Sequence, residues 1–152
     1  MPLLVGGVLA GIFAIIALLS FTPPTGTTTG RAATAYALNF EAYREAVIAY
    51  VEANPTYTGT VPTASLTMPP GWSALAAWNN QVATGGTVYV WGALPQGSAA
   101  DVATAGLGTV SIGVTKMQGG VEVVIVPSTG YVIPVNITGV PVGDVACVVQ
   151  IN

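Results

Sequence analysis

Glu41, Arg44 and Glu45, close together in sequence, and the separated acids Asp101, Glu122 and Asp144 are the groups with which this chain could do acid–base work. Metal-free carboxylate catalysis needs two acids that converge on one substrate atom. No spacing among Asp101, Glu122 and Asp144 predicts convergence, because they fall on different turns and strands. Glu41, Arg44 and Glu45 sit at the spacing of a solvated helix face, where an i,i+3 ion pair contributes a few tenths of a kcal/mol. The chain has no histidine, which removes Ser-His-Asp triads, Cys-His pairs and the usual N/S zinc sites. Gly6-Gly7 and Gly106-Leu-Gly108 match neither the phosphate-binding loop nor the dinucleotide fingerprint. Cys147 is the single cysteine, so it forms no intrachain disulfide. Within Val145-Ala-Cys-Val-Val-Gln it reads as a small buried hydrophobe, with an intermolecular bridge as the lesser alternative. These residues predict a chain that is not an enzyme and has no cofactor and no metal.

The elements around them explain what remains. Leu3 to Phe21 carries no charge, and the first charged side chain is Arg31. Nineteen helical residues reach roughly 28 Å, about the hydrocarbon thickness of a bilayer. Leu3, Leu4, Val5, Leu9, Ile12, Phe13, Ile15, Ile16, Leu18, Leu19 and Phe21 are therefore expected to form a membrane anchor at residues 1–21. A cleaved signal peptide would open with a basic residue and close on a small-x-small site. Here no basic residue precedes the run, and Ser20-Phe21-Thr22 is a poor site; a core helix of a soluble fold is the other alternative. Gly6, Gly7, Ala10 and Gly11 put small residues on one side of the helix, common in membrane spans and compatible with close helix packing. Thr22 to Gly30, with two prolines and two glycines, reads as a linker, and residues 31–152 as the domain it tethers.

From Arg31 to Ala53 the pattern predicts an amphipathic helix stopped by Asn54-Pro55. Tyr36, Phe40, Tyr43, Val47 and Tyr50, at spacings of four, three, four and three, form one face that packs on a sheet or on another subunit. Thr56 to Val82 is turn-rich and anchored by Met68, Trp72 and Trp78. Its Pro69-Pro70-Gly71-Trp72 reads as a packed turn rather than a polyproline ligand, there being no PxxP repeat. Alternating strand formers on either side of Gly85-Gly86 predict a hairpin from Trp78 to Trp91. Ser98 to Ala105 predicts a short helix capped by Ser98. Thr109–Lys116, Val121–Val126, Tyr131–Ile137 and Asp144–Ile151 predict strands joined by short turns, hence antiparallel neighbours. The expected fold is α+β: an N-terminal transmembrane helix, then an amphipathic helix on a mainly antiparallel sheet, in a domain of about 120 residues.

Three basic and six acidic residues and a pI of 4.4 leave no basic cluster for nucleic acid or polybasic lipid binding. Charge also gives little information on orientation, since Arg31 is the only basic side chain near the span. The lysine-poor, Thr/Gly/Ala/Val-rich composition favours an exported domain.

The order of segments supplies a further reading. Asn39-Phe-Glu-Ala-Tyr-Arg44 leads to Tyr50 and Ala53-Asn-Pro55. Then come Tyr57-Thr-Gly-Thr-Val-Pro62, Leu66-Thr-Met-Pro-Pro-Gly-Trp72, Trp78-Asn-Asn-Gln-Val82, Gly86-Thr-Val-Tyr-Val-Trp91 and Val140-Pro-Val-Gly-Asp-Val145. With the N-terminal span, this order resembles the small PilM proteins of type IVB thin-pilus operons on conjugative plasmids, which are distinct from the actin-like ATPases of the same name. The resemblance implies a single-pass inner-membrane protein with a periplasmic domain. It also implies a place in the pilus basal body or pilin-transport apparatus, with inner-membrane or secretin components and pilin as partners, and is compatible with a homo-oligomer. It supplies no catalytic residue. The alternative is a pilin or minor pilin, which shares an apolar helix ahead of an α+β head. Against it stand the absence of a basic leader, of a glutamate at the fifth position after a plausible cleavage site, and of a C-terminal disulfide loop.

Overall fold

The computed structural model describes residues 28–95, 98–105 and 111–151. Helix α1 (Thr28–Ala53) begins three residues before the expected Arg31, taking Thr28 to Gly30 out of the linker. It ends where expected. The Asn54 side-chain amide donates to the Tyr50 carbonyl at 2.8 Å, and the Asn54 N–H donates to Val51 O at 3.0 Å. Pro55 follows and cannot continue the ladder. The membrane anchor expected at residues 1–21 lies outside the described residues, as does most of the linker. Among the described residues no helix is long and apolar enough to cross a membrane.

Six strands form one sheet: β1 (Trp78–Val82), β2 (Thr87–Gly92), β3 (Ile112–Gln118), β4 (Val121–Ile125), β5 (Val132–Pro134) and β6 (Val145–Gln150), in the order β1-β2-β6-β3-β4-β5. Every pairing is antiparallel. The expected class, a helix packed on an antiparallel sheet, is what the structure shows. The arrangement of the last strand differs from the expected succession of neighbours. β6 does not pair with β5 but inserts between β2 and β3, with Val90 opposite Cys147 and Ile112 opposite the same cysteine. The strand from Tyr131 is shorter than expected, three residues that end at Pro134, although Val135 N–H still donates to Glu122 O at 2.9 Å beyond it.

The pleat divides the sheet's side chains between two cores. Val82, Val88, Val90, Ile112, Val145 and Cys147 face α1 and the short helix α2 (Ser98–Ala105), whose Ala99, Val102 and Ala103 are buried. Tyr89, Ala146 and Val124 point to the other face, where Val135 and Val140 cover them. Gly86 and Gly92 are dictated by this packing. At Gly86 φ is +79°, and a Cβ would lie 2.3 Å from Ile151 O; at Gly92 a Cβ would lie 2.3 Å from the Trp78 ring.

Both sheet edges are closed against strand addition. On β1, Gly59 exchanges backbone hydrogen bonds with Val82 at 2.8 and 2.9 Å. Alongside, Asn80 Oδ1 accepts from Val61 N–H at 2.7 Å while its Nδ2 donates to Val61 O at 3.0 Å. The buried amide thus continues the ladder that the backbone begins. On β5 the edge is three residues long and carries Pro134. Short edges with proline are the usual protection against intermolecular pairing.

Candidate functional site

The aromatic stripe of α1 is taken up by the fold itself. Phe40, Tyr43 and Val47 are buried, and Tyr36 and Tyr50 are half-buried against the same core. Phe40 meets Trp78 edge-on at 5.2 Å, Tyr43 stacks on Trp72 at 6.2 Å and Tyr50 meets Tyr57 edge-on at 5.3 Å. The Tyr43 hydroxyl accepts from Asn80 Nδ2 at 2.7 Å. The turn-rich segment therefore lines the helix with three aromatic partners. Asn39 ties it further: its Oδ1 accepts from Trp78 Nε1 at 2.7 Å and from Leu75 N–H at 2.9 Å, and its Nδ2 donates to Ser73 O at 2.9 Å. Sequence periodicity marks neither Asn39 nor Asn80, because amides satisfying distant backbone groups carry no spacing signal.

The Glu41, Arg44, Glu45 group departs from the solvated face expected of it. Arg44 is buried, and its Nη2 donates to Glu41 Oε1 at 2.6 Å and to Glu45 Oε1 at 2.5 Å. The other carboxylate oxygen of Glu41 is buried without a hydrogen-bond partner. Burial works against the Arg44 charge; Glu45 and Glu41 outweigh it, so the guanidinium pKa is raised. Cys147 is buried on β6 with its Sγ 3.4 Å from Ser111 Oγ. Burial pushes its thiol pKa up, although Ser111 and Arg44 act in the other direction. A neutral buried thiol is a weak nucleophile.

Two of the three scattered acids come closer together than spacing indicated. Asp144 is buried beside Thr115, whose hydroxyl accepts from Asp144 N–H at 3.0 Å and donates to Pro141 O at 2.6 Å. Burial raises the Asp144 pKa above 3.8, and the charge of Glu122 raises it further. Asp101 is exposed on α2. The approach of Glu122 to Asp144 follows from β4 pairing with β3 while residues 143–144 pair with Thr115, a contact between distant segments. Neither acid lines a recess described below. Among the described residues no three His, Cys, Asp or Glu side chains gather as metal ligands.

Because the folded pKa of Asp144 is raised, the native state binds that proton more tightly than the unfolded chain does. Its contribution to stability therefore falls as pH rises from 3.8 through the raised value, and is unfavourable at neutral pH. Asp144→Asn should unfold at higher urea concentration than the native chain at pH 7, and the gap should close in acid. A lower midpoint at neutral pH would show that the carboxylate has a stabilising partner.

The open recesses lie at the end of the domain where α1 terminates. One of about 360 Å³ is bounded by Pro55 to Thr58, the Thr84–Gly86 turn and Ile151. A second, of about 300 Å³, shares Pro55 and Ile151 with it and adds Ile48, Glu52 and Val149. Glu52 is the single charged side chain in either lining. Such surfaces suit contact with another macromolecule and lack the convergent charged groups of a catalytic cleft.

A family model described as PilM matches residues 12–148 of the chain. No curated protein and no solved structure matches it.

Proposed function

The chain belongs to the PilM family of small type IV pilus biogenesis proteins, and from that membership we propose that it is a non-enzymatic, membrane-anchored component of the pilus assembly machine. In this reading Leu3 to Phe21 hold it in the inner membrane with the α+β domain in the periplasm. It acts there through protein contacts in the basal body or pilin-transport apparatus of a thin, conjugative type of pilus. The family match over most of the chain carries the proposal. The chemistry of the domain supports it: a buried thiol, one buried cation and shallow, nearly uncharged recesses favour contact by shape over catalysis. Low charge lowers the desolvation cost of an interface.

Deleting the gene should abolish pili while prepilin is still made and processed, and crosslinking from the domain should capture inner-membrane or secretin components in substoichiometric amounts. Recovery of the protein from sheared, purified fibres at levels near the major subunit would replace this reading with that of a pilin.

A further inference from the structure

The first ten residues of α1 lead to an apolar surface that the fold leaves uncovered. Arg31, Ala35, Leu38 and Ala42 follow at spacings of four, three and four, so they share one helix face. Arg31 and Ala35 are exposed, and Leu38 is 55% exposed. Leu75, 50% exposed, is held beside this face because its N–H donates to Asn39, the residue after Leu38. No ionised group occurs between Arg31 and Glu41. The other large exposed apolar residues, Met117, Val121, Tyr131, Val132 and Val142, belong to the β3–β5 side of the molecule or the loop before β6.

The chain ahead of the described residues indicates what lies against this surface. Phe21, where the apolar run ends, is seven residues before Thr28, a distance of at most about 24 Å along the chain. Leu38 is about 15 Å further along the helix. A bilayer holding residues 3–21 is therefore within reach of both leucines, and the connection is long enough for α1 to lie along it. We propose that the Leu38–Leu75 surface rests on the lipid bilayer that anchors the chain and so fixes the domain's tilt. This rests on the anchor reading given above.

The test uses the full chain in phosphatidylcholine–phosphatidylglycerol vesicles, with an environment-sensitive thiol fluorophore at Leu38→Cys, Leu75→Cys or Thr84→Cys. Thr84 is an exposed residue of the hairpin turn, at the opposite end. Cys147 is buried, and the unsubstituted chain, treated identically, measures its background. Labels at 38 and 75 should show blue-shifted emission and lose intensity when nitroxide lipids are included, and the label at 84 should show neither. Emission at 38 and 75 like that at 84, with the protein retained in the carbonate-washed membrane pellet, would overturn the apposition and leave the anchor standing. A blue shift without quenching by nitroxide lipid would also overturn it, by showing protein over the patch. Release by carbonate would overturn the anchor and the apposition together.

Discussion

Phe40→Ala should lower stability by about 3 to 5 kcal/mol, the range for truncating a buried aromatic side chain. Phe40 is 1% exposed, and its ring is held edge-on to Trp78, which in turn is fixed by its indole N–H to Asn39. The cavity left behind would be bounded by elements that cannot collapse into it independently. α1 is held by Tyr43 and Val47 below Phe40, while Trp78 is the first residue of β1, pinned opposite Gly92. A domain of this size has roughly 5 to 15 kcal/mol in total. The loss should therefore appear as a fall in Tm on the order of 10 °C or more. Unchanged melting together with lost pilus assembly would assign the stripe to an interface instead.

The second large effect is expected at Arg44. Arg44→Ala should cost about 3 to 5 kcal/mol, because the carboxylate of Glu41 would remain largely buried with its compensating charge removed. Glu45, whose side chain is 58% exposed, can return to water, so Glu41 carries most of the penalty. Adding Glu41→Gln to Arg44→Ala should recover part of the loss, since it removes the stranded charge. Urea unfolding of the two single variants and the double variant measures the coupling. A cost under about 1 kcal/mol for Arg44→Ala would make this an ordinary surface pair.

The contrast between these two sites shows which parts of the molecule local sequence could reveal. Phe40, Tyr43 and Val47 announce their burial by repeating on one helix face, and Gly85-Gly86 announces the hairpin between two alternating segments. Both signals are contained within a few turns or strands. Arg44 carries no such signal. A charged residue between two glutamates has the pattern of a solvated face, and its burial follows from packing near Cys147, more than a hundred positions later. The approach of Glu122 to Asp144 and the insertion of β6 between β2 and β3 were hidden for the same reason. Short turns fix which consecutive strands are neighbours, as in β3-β4-β5, but β6 is reached through the segment that crosses the second face. Its position is set by the match of Val145, Ala146 and Cys147 to partners on two separate strands.

That position of β6 has a consequence for how the chain is made. The hairpin β1-β2 and the meander β3-β4-β5 pair with each other only through a strand that follows both of them. While the ribosome is still short of Val145, the nascent polypeptide holds two unjoined half-sheets whose apolar faces have no central strand to complete them. Folding of the sheet is therefore deferred until nearly all of the described chain has been synthesised, as expected where the stabilising contacts are distant in sequence.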